Sequence, residues 1–162
     1  MPESYSVRIA KAEHVFSAAH FITYAGQCER LHGHNYHVAA EIVGPLNADH
    51  LVVDFLAVRD ALRAIVAQLD HFVLLPTEHR ELTVTEQGGE VQVAFADRRW
   101  VFPRGDCQLL PVANTTAELL AAYIGRELQP ALERHCGSAV PQLRVELDEC
   151  DGQLAIWQSR SN

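Results

Sequence analysis

Lysine is almost missing from this chain: Lys11 stands alone beside twelve arginines, thirteen basic residues against 21 acidic ones. The formal net charge of -8 disfavours broad binding to nucleic acid or to anionic lipid, so neither is expected as a partner. An anionic small molecule stays compatible with that balance if arginines gather locally. Nowhere does an apolar run approach the roughly 20 residues that a membrane span needs, so no membrane association is expected. The opening Met1-Pro2-Glu3-Ser4 has neither a basic nor an apolar region of the kind a signal peptide carries, and none is expected. The four cysteines, Cys28, Cys107, Cys136 and Cys150, are far apart and form no CxxC pair. That argues against a disulfide framework and for a reduced, cytoplasmic protein in which any special cysteine serves chemistry or a metal.

What remains is an ordinary globular composition, 48% hydrophobic and 21% charged over 162 residues. It predicts a single domain over residues 1–162 with a sizeable core. Residues 6–20 read as a strand, 21–31 as irregular, and 33–43 as a second strand ended by Gly44-Pro45. Asp54 is positioned to cap a helix whose apolar face is Phe55, Val58, Leu62, Ile65, Val66 and Leu69. A second helix is expected to begin near Thr115, with Leu119, Leu120, Tyr123, Ile124 and Leu128 inward and Pro130 bending or ending it. Thr115 and Glu118 read as a capping box at its start. Between the helices, in an insert over about 76–110, Leu82–Phe102 reads as a β-meander with Gly88-Gly89 at a turn and Val91, Val93 and Phe95 alternating. Leu143, Val145 and Leu147, the turn Asp151-Gly152 and the return from Leu154 to Trp157 form a closing hairpin. The order predicts an α+β fold, its helices on one face of an antiparallel sheet.

The chemistry concentrates in Cys28-Glu29-Arg30-Leu31-His32-Gly33-His34. Residues two apart on a strand share a face, so His32 and His34 point the same way about 6.5–7 Å apart. Two imidazoles so placed can converge on one ion, and His20, closing the neighbouring strand, can supply the third nitrogen. Three histidines on a zinc ion leave a tetrahedral position for substrate or water. His14, His37, His50, His79 and His135 fit no such constellation and read as surface residues. Cys28 has two readings: a fourth ligand closing a structural site, or a thiolate general base standing off the metal. Asp70 beside His71 can orient and charge an imidazole. Glu149 continues the parity of Leu143, Val145 and Leu147, which aims a carboxylate at the apolar side, where it could pair with a flat, nitrogen-rich ligand.

Phe16-Ser17-Ala18-Ala19-His20, the Cys28…His32-Gly33-His34 cluster, Val53-Asp54-Phe55, Leu69-Asp70-His71, Asn114-Thr115-Thr116-Ala117-Glu118 and the strand Val145…Glu149 occur in that order. The ordered set resembles the 6-pyruvoyltetrahydropterin synthase / 6-carboxytetrahydropterin synthase family over residues 6–75 and 110–158. The resemblance implies the tunnelling fold: a four-stranded antiparallel sheet with two helices per subunit, three subunits closing a barrel, and two barrels stacked as a homohexamer with active sites between subunits. It also implies Zn2+ on His20, His32 and His34, with Cys28 as base. Asp70 and His71 would assist proton transfer from an adjacent subunit, Glu149 would anchor a pterin ring, and Thr115 and Thr116 would line its pocket.

Three residues between Cys28 and His-Gly-His resemble the 6-carboxytetrahydropterin synthases of 7-deazaguanine (queuosine) biosynthesis. The implied enzyme is a zinc-dependent lyase that turns 7,8-dihydroneopterin triphosphate into 6-carboxy-5,6,7,8-tetrahydropterin, releasing acetaldehyde and triphosphate. The pyruvoyl-forming synthase, a zinc cyclohydrolase acting on guanosine triphosphate, and a non-catalytic zinc-binding tunnelling-fold protein are the rival readings. The stretch Pro76–Leu110 is longer than this family's usual link, and Arg30 is the candidate triphosphate contact by its nearness to Cys28.

Overall fold

The computed structural model describes residues 3–137 and 139–160. Its centre is a six-stranded mixed sheet. Strand β1 (Tyr5–His20) pairs antiparallel with β4 (His32–Gly44), β4 with β10 (Gln142–Asp148), and β10 with β11 (Leu154–Arg160). These four are the antiparallel set the sequence predicts. On the other side of β1 the sheet continues through two short parallel strands, β5 (Phe72–Pro76) and β9 (Cys107–Leu110). The four-stranded antiparallel sheet expected from the sequence is thus present and is extended by two short parallel strands. Parallel neighbours need a crossover connection. Between β5 and β9 that crossover is the meander of β6 (Thr83–Gln87), β7 (Glu90–Phe95) and β8 (Arg98–Pro103), present as predicted.

Both helices cover one face. Helix α1 (Phe55–Ala67) starts on Asp54, whose carboxylate accepts from the Leu56 N–H. It buries Val58, Leu62, Ile65 and Val66, whereas Phe55 at its first position stays exposed, contrary to the apolar face read from the sequence. Helix α2 (Ala117–Cys136) buries Leu120, Ile124 and Leu128 against the same core. The sheet answers with Phe16 and Ala18 of β1, Tyr36, Val38, Ala40 and Ile42 of β4, and Leu143, Val145 and Leu147 of β10. A second cluster lies under the meander, where Leu82, Val91, Val93 and Phe95 pack on Phe21, Leu75 and Cys107.

Three local expectations change. The cap of α2 is Thr116, whose hydroxyl accepts from Leu119, so the Thr115–Glu118 capping box does not form. Pro130 lies inside α2 and does not end it; the helix stops at Gly137, left-handed at φ 65°. Strand β1 is bulged: its partner register shifts between Ala10↔Ala39 and Val15↔His37. The bulge adds an odd number of residues, so it moves the buried face from Ile9 to His14, Phe16, Ala18 and His20. His14 is therefore fully buried and not a surface residue. No helix among the described residues is long and apolar enough to cross a membrane.

Candidate metal centre and active site

The β1–β4 ladder ends with His20 opposite His32 and Ala18 opposite His34. Directly paired residues share a face, as do residues two apart, so all three imidazoles fall on the helix-covered side at the rim of the sheet. Gly33, between two of them, is needed for a close approach: a Cβ there would lie 3.1 Å from the Ala18 carbonyl oxygen. The three rings stand edge to face with centroids 4.7, 5.0 and 5.3 Å apart. One nitrogen from each lies within 4.8 Å of the others.

Hydrogen bonds assign the tautomers. His20 Nδ1 lies 2.8 Å from the Thr115 carbonyl and His32 Nδ1 2.8 Å from the Arg30 carbonyl. A carbonyl only accepts, so Nδ1 carries the proton in both rings and Nε2 keeps its lone pair. This is the arrangement by which backbone carbonyls orient metal-ligating imidazoles. Burial holds the His20 pKa below the usual imidazole range despite the Thr115 bond, which keeps it neutral and able to ligate. Glu149 lies just past β10, its Oε1 3.5 Å from His20 Nε2 and 3.7 Å from His34 Nε2, and accepts from the Tyr36 hydroxyl at 3.2 Å. A carboxylate oxygen facing an imidazole lone pair is unfavourable unless a proton or cation lies nearby. The donor set therefore fits a divalent cation, and three imidazoles are ligands suited to zinc.

Cys28 does not join that group. It sits half-buried at the end of β3 (Gln27–Cys28), a two-residue strand paired with β2 (Thr23–Tyr24). The closed cysteine-plus-three-histidine arrangement is absent among the described residues, which leaves the open-site reading. Burial pushes the Cys28 thiol up, the Arg98 guanidinium pulls it down, and Glu29 pushes it up again.

Thr115 is fully buried; its hydroxyl donates to the Phe21 carbonyl, and its own carbonyl is what faces the histidines. Thr116 is committed to the helix cap. Asp70 and His71 are in contact, Oδ2 to Nδ1 2.9 Å, outside the three-histidine group. The Asp70 carboxyl is held below the usual range, first by the Ser17 N–H donating to it and then by His71. His71 takes a left-handed backbone, φ 64°, and lines a cavity of about 500 Å3 with Ser17, Gly33, Asn35 and His34. The structure thus gathers His20, His32, His34, Glu149 and the Thr115 carbonyl at one centre, and sets Cys28 and the Asp70–His71 pair at two flanking positions. Two residues were missed from sequence. Tyr36 carried a signal, since it shares the parity of His34 and touches both His20 and Glu149. Arg98 carried none, because the meander that delivers it is joined to the site only by tertiary packing.

A sequence model described as 6-pyruvoyl tetrahydropterin synthase matches residues 8–159. Among curated relatives, a Methanocaldococcus jannaschii protein with the provisional name 6-carboxy-5,6,7,8-tetrahydropterin synthase is 29% identical over 144 residues, 88% of this chain and 88% of its own length. A Pyrococcus abyssi protein with the same provisional name is 32% identical, covering 83% of this chain and 79% of its own. Among solved structures, the Plasmodium falciparum 6-pyruvoyl tetrahydropterin synthase superposes with a TM-score of 0.92 at 26% identity, covering 99% of this chain and 100% of that one. A Plasmodium vivax 6-pyruvoyltetrahydropterin synthase, solved as a glutamate-to-alanine catalytic-residue mutant, gives 0.91 at 26% identity over the same shares. A match over 99% of the chain takes in the meander, so that segment is shared with these proteins and is no private addition. Extent of match, fold and the ordered motifs agree: the chain belongs to the 6-pyruvoyl tetrahydropterin synthase family, enzymes of pterin metabolism.

Proposed function

We propose that this protein is a zinc-dependent 6-carboxy-5,6,7,8-tetrahydropterin synthase of 7-deazaguanine (queuosine) biosynthesis. Its reaction would convert 7,8-dihydroneopterin triphosphate and water to 6-carboxy-5,6,7,8-tetrahydropterin, acetaldehyde and triphosphate. The observation that carries the reading is the open three-histidine centre with Glu149 against it and Cys28 outside it. The choice of the carboxy product is supported by the names of the archaeal relatives and by the three-residue gap between Cys28 and His32.

Zinc held by His20, His32 and His34 would act as a Lewis acid toward the oxygens of the substrate side chain. The chain supplies the rest. The Thr115 and Arg30 carbonyls keep the His20 and His32 rings turned inward. Glu149 offers carboxylate oxygens to the N–H groups of an aminopyrimidine edge, a geometry that selects a pterin. Cys28, once ionised, takes a proton from a side-chain carbon. Asp70 holds His71 by Nδ1, leaving Nε2 as the atom that gives or receives a proton. Because this pair stands outside the three-histidine group, the site it serves would belong to a second copy, in keeping with the hexamer of two stacked trimers implied by the family. Cytoplasmic location is supported by four unpaired thiols.

The test compares metal content and turnover in wild type and Cys28→Ala. Zinc should remain stoichiometric while acetaldehyde release falls by a factor of about 100 or more, the scale of a lost general base. Unchanged turnover removes Cys28 from the chemistry. One further reading has its own support: the Plasmodium synthases name the pyruvoyl product, and the P. vivax structure names a catalytic glutamate. Glu29 follows Cys28 directly. If Cys28→Ala stays active and Glu29→Gln does not, the carboxylate is the base. A pyruvoyl product without acetaldehyde moves the chain to that branch.

A further inference from the structure

In the loop that carries Cys28, the β2 side is tied down, since Asn114 accepts from the Thr23 N–H and donates to its carbonyl and His79 meets its hydroxyl, but the β3 side that bears the cysteine has less to hold it. Its ladder is the two pairs Thr23↔Cys28 and Tyr24↔Gln27, extended by the Glu29 N–H donating to the Ile22 carbonyl. An isolated two-stranded ribbon this short does not fix its own geometry in water. Yet a residue that takes a proton at a defined carbon must be held to a fraction of an ångström.

The meander supplies what the loop lacks. Arg98, the first residue of β8, turns its guanidinium to the loop and donates from one nitrogen to the Cys28 carbonyl and, at 3.2 Å, to the Glu29 carbonyl. The guanidinium is itself fixed. It lies over the Trp100 ring, 4.5 Å from the centroid, and Trp100 stacks on Phe21 at 4.8 Å with 21° between the planes. Phe21 directly follows the metal-site residue His20. Beneath, Val91, Val93 and Phe95 anchor the meander in a cluster that Cys28 itself borders. An unbroken path of packed groups therefore runs from the rim of the metal centre through two aromatic rings to the cation that holds the cysteine backbone.

We propose that Arg98 is the positioning residue for Cys28: the meander delivers its guanidinium to lock the cysteine loop and to keep a fixed positive charge beside the thiol. The proposal rests on the reading of Cys28 as the proton-transferring group, but its structural half can be tested without that reading. Of the charges around the thiol, Arg98 opposes burial and Glu29 reinforces it, so removing the guanidinium leaves two influences that both favour the protonated form.

The experiment uses the protein as purified, with its metal. Alkylation by iodoacetamide is followed over a pH series and resolved residue by residue by peptide mass spectrometry, with the exposed Cys136 and Cys150 as internal references. In Arg98→Gln the pH midpoint for Cys28 should rise while those of Cys136 and Cys150 stay put. Turnover should drop through kcat by roughly tenfold to a hundredfold, the scale of one charge-assisted hydrogen bond, with KM little changed. Arg98→Lys, which keeps the charge without the fork, should recover the midpoint and only part of kcat. Trp100→Leu, which removes the platform and leaves the charge, should move both in the direction of Arg98→Gln by less, and stands in if Arg98→Gln fails to fold. A Cys28 midpoint unchanged or lowered in Arg98→Gln, or in Trp100→Leu where that variant stands in, overturns the proposal. A raised midpoint with full turnover keeps Arg98 as the anchor of the loop and instead refutes Cys28 as the catalytic base.

Discussion

His14 is a fully buried imidazole with neither ring nitrogen in a close hydrogen bond among the described residues, the Arg59 backbone acting on it only weakly. Burial lowers its pKa from the usual 6.5; Glu13 and the Arg59 backbone favour the charged form, and Lys11 and the Arg59 guanidinium oppose it. The consequence for stability has a definite sign. Above the unfolded-state pKa the ring is neutral in both states and costs nothing electrostatically. As pH falls below about 6.5, the unfolded chain takes up the proton first, so stability is lost until the lowered folded-state pKa is reached. His14→Leu should flatten the fall of the urea midpoint below that pH, leaving the part due to His20, whose pKa is also lowered. Near neutral pH it should leave stability unchanged or raise it by up to about 1 kcal/mol, because two unpaired polar atoms go. Identical acid slopes in the two proteins would remove His14 from the account. The residue was misread from sequence for a clear reason. A regular strand from Val7 puts odd positions inward, and only the bulge after Ala10 brings even ones in. By contrast His20, His32 and His34 were legible, because they lie beyond the bulge on two strands whose local alternation is intact.

Helix α2 illustrates how tertiary packing overrides local preference. Pro130 removes one backbone donor and costs about 3 kcal/mol in a helix interior, yet Leu128 and Leu132 on either side of it are fully buried and carry the helix on to Cys136. Gly125 is the complementary case. By propensity alone, Gly→Ala should stabilise a helix by about 1 kcal/mol. Here a Cβ would stand 2.1 Å from two ring carbons of Trp157, which leans from β11 onto the helix. Overpacking of that kind costs about 1–3 kcal/mol, so Gly125→Ala should be net destabilising by up to about 2 kcal/mol, a fall in Tm of up to roughly 8 °C for a chain of this size. Adding Trp157→Leu to Gly125→Ala should restore part of the loss, and a Tm that rises in the single variant would mean the contact yields at no cost. Elements defined by their own periodicity, α1, α2, the meander and the closing hairpin, could be read from the sequence. Strands β5 and β9 could not: each is a short apolar run whose identity as a strand comes from pairing with a distant segment.

Across the whole molecule the fold separates two kinds of histidine. His20, His32 and His34 form the cluster on the helix-covered face, and His71 stands outside it, lining a cavity with Ser17, Gly33 and Asn35 of the opposite parity that also reaches His34. The separation makes a metal-linkage experiment discriminating. The three donor atoms are brought together by folding, since His20 and His34 come from different strands and meet only through the β1–β4 register. The unfolded chain has no such cluster, so a metal bound there stabilises the fold by mass action. At a free zinc concentration 100 times the dissociation constant the gain is about 2.7 kcal/mol, or a rise in Tm of roughly 5–10 °C over the chelator-treated protein. Replacing His20 or His34 with alanine should abolish that rise, because two imidazoles no longer close a site. His71→Ala should keep it in full even where turnover falls, since His71 donates nothing to the cluster. Equal loss of the zinc-dependent shift in His71→Ala and His34→Ala would show that both residues bind one ion, and the proposed division of labour between metal centre and proton relay would have to be given up.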